Sequence, residues 1–231
     1  MPDHDLTERF ATTRTRIASA ATRAGRTPES VGLVAISKGQ PATAIRALAE
    51  LGQRDFGENY LQEALPKQEN LRDLPLTWHF TGQIQANKTR PIAESFAWVH
   101  TLDRERTAMR LNDQRPPGLP PMNVCLQVRL EDEPGKGGLE PHEIPALAAK
   151  VSELPHLRLR GLMALPPPRD SFDEQKQLFD RLHSLLRELQ ASGFAVDTLS
   201  MGMSADLEAA IAAGATYVRI GTALFGERQR A

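Results

Sequence analysis

The chain has 231 residues, of which 40% are hydrophobic and 25% charged, and its net charge is −1. That is long enough for one α/β-barrel domain with a buried core, and the balanced charge argues against a nucleic-acid or anionic-membrane partner, which would call for a basic excess. The single cysteine, Cys125, rules out an internal disulfide and agrees with a reducing compartment.

In chain order, the first 26 residues are polar and lack the apolar core of a signal peptide. Leu6, Phe10, Ile17, Ala20 and Ala24 fall near helical spacing, which predicts a helix over residues 5–24 stopped by Gly25. A short apolar run at 31–36 then predicts a buried strand. Pro41 opens the next helix, with Ala44, Ile45, Leu48 and Leu51 as its stripe and Gly52 at its end. Further strands are predicted at 54–56, 76–80, 96–100, 123–130, 157–163, 196–199 and 216–220, with helical patterns between them. The clearest helix carries Leu178, Phe179, Leu182, Leu185, Leu186 and Leu189. Nowhere is there a run of about 18 apolar residues of the kind that spans a membrane.

Strict alternation of strand and helix implies a parallel sheet. Eight repeats in about 200 residues imply closure into a (β/α)₈ TIM barrel with an extra helix before strand 1. An open dinucleotide-binding sheet is the structural alternative, but no G-x-G-x-x-G follows strand 1. The expectation is one domain over residues 1–231, soluble and cytoplasmic, and monomeric by default because no part of the core is missing. A glycine-rich segment at 131–138 follows strand 5, and its residues 135–138, with Lys136, read as a partial lid.

Barrel chemistry sits at the C-terminal ends of the strands. Strand 1 ends in Ser37-Lys38, strand 2 runs into Glu58 and Asn59, and strand 3 ends near His79. Strand 7 runs into Met203 and Ser204, and strand 8 carries Arg219 and runs into Gly221 and Thr222. Barrel phosphate sites lie after strands 7 and 8, where backbone N–H groups and helix dipoles converge. Ser204 reads as the N-cap of a helix starting at Ala205, and Gly202 and Gly221 allow close backbone approach. Ordinary cap and turn chemistry would produce the same residues.

Lys38 follows an apolar strand, where partial desolvation makes its amine a nucleophile toward an aldehyde; most lysines at strand ends are simply solvated. A lysine facing an anion cradle across a barrel mouth suits pyridoxal 5′-phosphate (PLP), whose aldehyde and phosphate lie on opposite sides of the ring. Arg219 would either pair with a Glu or Asp inside the barrel, the commoner role of such an arginine, or face the ring nitrogen and, unable to release its proton, leave it unprotonated. Asn59 or Glu58 would reach the ring oxygen or cap the next helix. His79 and His100 sit in apolar strands, as hydrogen-bonded core histidines do. No His/Cys spacing fits a metal. The candidate cofactor-binding set is Lys38, Asn59, His79, Met203, Ser204, Arg219, Gly221 and Thr222.

Seven stretches in order, LVAISKGQPA (33–42), GQRDFGENYLQEA (52–64), WHFTGQIQANKT (78–89), VHTLDR (99–104), GLMALPPP (161–168), LSMGMSADLEAAIAAGAT (199–216) and VRIGTALFGERQ (218–229), resemble the pyridoxal phosphate homeostasis proteins, the YggS-like family. The resemblance implies the barrel of the alanine racemase N-terminal domain, PLP joined to Lys38 as a Schiff base, phosphate contacts near Ser204, Gly221 and Thr222, and Arg219 near the ring nitrogen. It implies a non-catalytic role in carrying or buffering PLP, with apo-PLP enzymes as recipients. Gly39 stands where the family usually has Thr, Thr81 and Gln83 where Ile and His or Pro are common, and Arg129 in place of a frequent Asn. Two other functions fit parts of the pattern: a PLP-dependent amino-acid racemase, and a barrel enzyme forming a Schiff base with a phosphorylated sugar or acid.

Overall fold

The computed structural model describes residues 4–131 and 137–226. Among them, eight parallel strands close into a barrel in sequence order: β1 (Gly32–Ile36), β2 (Asp55–Glu58), β3 (Thr77–Phe80), β4 (Trp98–Leu102), β5 (Met122–Val128), β6 (Leu157–Ala164), β7 (Thr198–Ser200) and β8 (Tyr217–Ile220), with β8 pairing back to β1. Helix α1 (His4–Arg23) precedes the barrel. Around it run α2 (Ala42–Glu50), α3 (Leu61–Asn70), α4 (Thr89–Ser95), α5 (Glu105–Gln114), α6 (Ile144–Ser152), α7 (Phe172–Ala191), α8 (Leu207–Ala212) and the single turn α9 (Thr222–Phe225). The expected barrel and leading helix are both present. No helix among the described residues is long and apolar enough to cross a membrane.

Two apolar layers result from the strand period of two. The larger lies between the sheet and the helices and includes Ile45, Leu48, Phe56, Val99, Leu126, Phe179 and Leu182, all without exposed surface. Full burial of each such side chain contributes about 1.5–3 kcal/mol relative to exposure, largely offset by ordering entropy. The smaller layer is Trp98, Cys125 and Met163 inside the barrel, with Tyr217 against them. Laterally paired residues of a parallel sheet share a face, and the pairs His79–Trp98, Met163–Ser200 and Ser200–Tyr217 continue this interior layer across neighbouring strands. Burial pushes the Cys125 thiol up to about 12, so it behaves as an inert core group.

Strand ends agree with the expected ones within about two residues, the usual uncertainty of boundaries. The largest shift is at β4, predicted over 96–100 and observed at Trp98–Leu102. Phe96 instead caps α4 and packs edge-on against Phe80, while Thr101 and Leu102 extend the strand with both side chains buried. Of the expected lid over 135–138, residues 135 and 136, Lys136 among them, lie outside the described residues. Next to it, Arg129 ion-pairs Glu140, its Nε donating at 2.9 Å.

Candidate functional site at the barrel mouth

A cavity of about 460 Å³ opens at the C-terminal ends of the strands. Lys38 and Asn59 line one part of it; Met203, Ser204, Arg219, Gly221 and Thr222 line another, joined by Ile36, Gln40, Thr81, Leu165, Ala205 and Gly226. Seven of the eight residues expected from sequence therefore meet in one place. The eighth, His79, does not line the cavity. It is fully buried below it, on β3.

Lys38 is placed by the end of β1. Residues 37–40 form a β-turn in which Gln40 N–H donates to Ser37 O at 3.0 Å. Gly39, third in the turn, has φ +72°, the left-handed value that a type II turn needs there and that β-branched residues resist. Glycine at position 39 thus fits this turn.

Asn59 is held by Thr81, whose Oγ1 donates to Asn59 Oδ1 at 2.8 Å. That leaves the Asn59 amide N–H groups as donors. Glu58, the alternative candidate for a ring oxygen, is not in the cavity: it is fully buried, and its Oε1 accepts from Ser37 Oγ at 2.6 Å and Lys67 Nζ at 2.8 Å. Strand alternation turns it away from Asn59.

The β7 and β8 ends supply backbone donors. Among the described residues, no chain acceptor takes the N–H of Ser204, Ala205, Gly221, Thr222 or Ala223. A Cβ on Gly221 would lie 3.3 Å from Ile36 O, so a larger residue would crowd the approach. Met203 differs: it lines the cavity, but its N–H donates to Asp206 Oδ1 at 2.5 Å. The same bond displaces the expected cap. Ser204 is not an N-cap, because residues 204–206 form a turn and α8 starts at Leu207 with Asp206 as its N-cap. Burial pushes the Asp206 carboxyl above its usual range, opposed by the Met203 N–H and by Arg219. Helix α1 braces this loop: Arg16 donates to Ser204 O at 3.1 Å and to Glu208 Oε1 at 3.0 Å.

Arg219 joins the cavity to a buried polar chain. Its Nη1 donates to Ser200 Oγ at 2.7 Å and its Nη2 to Ala164 O at 2.9 Å. Ser200 Oγ meets His100 Nδ1 at 2.7 Å, His100 Nε2 meets His79 Nδ1 at 2.9 Å, and His79 Nε2 meets Asp55 Oδ1 at 2.9 Å. A guanidinium only donates and a carboxylate only accepts, which fixes the direction of every bond with both rings neutral: Arg219 to Ser200, to His100, to His79, to Asp55. The electrostatics agree. Burial lowers the pKa of His79 and takes that of His100 well below its usual value, with His79 and Arg219 adding to the latter. Burial also lowers Arg219 to about 10, which leaves it charged at neutral pH.

Comparison with known proteins decides the family. Residues 13–229 match the family described as alanine racemase, N-terminal domain. The chain is 59% identical over 223 residues to the pyridoxal phosphate homeostasis protein of Pseudomonas aeruginosa, with 96% of each chain covered. The Escherichia coli protein of the same name is 50% identical over 228 residues, with 97% of each covered. The chain belongs to the pyridoxal phosphate homeostasis protein family. A solved relative, PipY of Synechococcus elongatus with PLP bound, superposes with a TM-score of 0.85 at 39% identity, covering 96% of this chain and 100% of PipY.

Within this family frame, the sequence missed Thr81, Ser200 and Asp206 as supports of the site. For Ser200 the available signal was the polar residues His79, His100 and Arg219 on strands whose other inward positions are apolar, since buried polar groups need hydrogen-bond partners.

Proposed function

We propose that this chain binds PLP at the barrel mouth and acts as a non-catalytic carrier or buffer of the cofactor, taking part in vitamin B6 and amino-acid homeostasis. The observation that carries the reading is that Lys38, Arg219 and the N–H groups of Ser204, Gly221 and Thr222 border one cavity. Its volume is in the range of small-ligand sites, so the residues present fit the group. PLP supplies an aldehyde that condenses with an amine, and a phosphate that takes N–H donors.

In this reading Lys38 is the attachment amine. The N–H groups of residues 204–205 and 221–223 hold the phosphate, and the Asn59 amide donates to the ring oxygen. Arg219 offers only N–H donors, so a ring nitrogen facing it accepts a hydrogen bond and stays unprotonated; this weakens the ring as an electron sink. His79 acts at a distance, by holding His100, Ser200 and through them Arg219.

The non-catalytic part of the reading draws on the tyrosines, the residue type that would serve as a racemase base here. Neither Tyr60 nor Tyr217 borders the cavity: Tyr60 is exposed, and Tyr217 lies in the barrel interior, with its hydroxyl pushed up to about 12 by burial. We place the chain in the cytoplasm as a single-domain monomer that hands PLP to apo-enzymes.

The test mixes PLP-loaded protein with an apo-PLP enzyme, and separately with L-alanine. The expected results are reactivation of the apo-enzyme and an unchanged alanine enantiomer. No reactivation, or the appearance of D-alanine, would overturn the reading.

A further inference from the structure

The turn that carries Lys38 is gripped on both sides by a charged cluster outside the cavity. Before the lysine, Ser37 O accepts from Lys67 Nζ at 2.9 Å as well as from Gln40 N–H, so both of its lone pairs are used. Ser37 Oγ donates to Glu58 Oε1, and Ser37 N–H donates to Gly57 O at 2.9 Å. After the lysine, Gly39 N–H donates to Glu63 Oε2 at 2.6 Å. Lys67 ties the two sides together, lying 2.8 Å from Glu58 Oε1 and 3.5 Å from Glu63 Oε2. Glu58 comes from the end of β2, and Glu63 and Lys67 are one helical turn apart on α3, the spacing that places two side chains on one face.

Stability does not account for this cluster. Glu58 is fully buried, its Oε2 has no hydrogen-bond partner, and Lys67 is nearly buried. The desolvation of such a pair offsets most of its attraction, and apolar residues of similar volume would serve a core at least as well. What the charged groups provide is direction, since charge-assisted bonds are short and hold their partners closely. Burial pushes the Glu58 carboxyl above its usual range, against the pull of Lys67 and Ser37.

We infer that Glu58, Lys67 and Glu63 are positioning residues that fix the turn on both sides of Lys38, so that its amine is presented to the aldehyde of a phosphate-anchored ligand. This rests on the reading of Lys38 as the attachment amine. In the step concerned, the neutral Lys38 amine attacks the aldehyde carbon and a carbon–nitrogen double bond forms. The aldehyde oxygen leaves as water with the two amine hydrogens, and nothing is oxidised or reduced. The clamp acts on this step and not on the phosphate contacts, which lie at the ends of β7 and β8, while the ring contact Asn59, next to Glu58 in the chain, is held separately by Thr81.

The experiment compares PLP with pyridoxamine 5′-phosphate, which keeps the ring and phosphate but has no aldehyde. The variants are Glu63→Ala, Glu63→Gln and Lys67→Met. Glu63 is partly exposed, so Glu63→Ala is expected to fold even if Lys67→Met, which strands a buried carboxylate, does not. Loss of one charge-assisted bond is expected to slow PLP attachment and weaken PLP affinity about ten-fold in Glu63→Ala. Pyridoxamine 5′-phosphate affinity should stay within about two-fold, because its contacts are intact. Glu63→Gln keeps an oxygen for Gly39 N–H and should recover most of the loss. A folded Lys67→Met should show the same split between the two ligands, more strongly.

Glu63→Ala attaching PLP like the parent chain would overturn the inference. So would equal losses for both ligands, which indicate general loosening of the site. Failure of the underlying reading looks different: the parent chain itself would carry no borohydride-trapped label on Lys38.

Discussion

Gly82→Ala is expected to destabilise the chain and to weaken PLP binding at the same time. A Cβ at this position would lie 2.1 Å from Asn59 O, 2.7 Å from Asn59 C and 2.8 Å from Asn59 Cα. All three are backbone atoms and cannot swing aside. Gly82 cannot retreat either, because its carbonyl accepts from Thr101 Oγ1 at 2.6 Å on the neighbouring strand. The ends of β2 and β3 must therefore part, straining the bond from Thr81 N–H to Glu58 O at 2.9 Å and moving Asn59 away from Thr81. Overpacking of this kind costs about 1–3 kcal/mol, and a displaced Asn59 donor should cost about ten-fold in affinity. Denaturant melts and PLP titration read the two effects. Gly118→Ala is the control, since nothing lies within 4 Å of a Cβ there. Gly82→Ala with unchanged affinity would remove Asn59 from the ligand contacts.

The second large effect concerns pH. His79 and His100 are neutral in the folded chain, their pKa values lowered first by burial, which Asp55 opposes at His79 and which His79 and Arg219 reinforce at His100. In the unfolded chain both titrate near 6.5. Below that value the unfolded state binds protons that the folded state does not, so stability falls as pH falls until the buried rings themselves titrate. One pH unit below the unfolded value, each ring held neutral costs about 1.4 kcal/mol. Glu58 and Asp206 act in the opposite sense. Burial raises both carboxyls, so they favour the folded state as pH drops toward their folded values. The histidine share is therefore read by difference. His100→Gln keeps a donor and an acceptor but does not titrate. Between about pH 7.5 and about pH 5.5 the parent chain is expected to lose about 1.4 kcal/mol more unfolding free energy than this variant. Equal losses would mean that His100 is not held neutral.

Most of the fold could be read from the alternation of apolar strands and amphipathic helices, because each element announces itself within a few neighbouring residues. The cavity residues were readable for a related reason: in a barrel every strand's C-terminal end faces the same mouth, so Lys38, Arg219 and Thr222 could be brought together without knowing any contact. What the local pattern does not carry is pairing between distant strands. The bond from Ser200 to His100 joins β7 to β4, and Glu58 meets Lys67 only after α3 has packed onto β2. The Ser204 error has the same origin. A serine before an apolar helical stripe looks like a cap, and only the folded turn shows that Asp206 has taken the Met203 N–H. His79 follows the core-histidine reading, buried and hydrogen-bonded inside the barrel, and so does not line the mouth with the other candidates.

The most direct measurement is borohydride reduction of the PLP-loaded chain, followed by proteolysis and peptide mass analysis. The expected result is a single pyridoxyl-phosphate label on Lys38, the amine that shares its cavity with Arg219 and the N–H groups of Gly221 and Thr222. A label on a different lysine, or no label at all, would contradict the assignment.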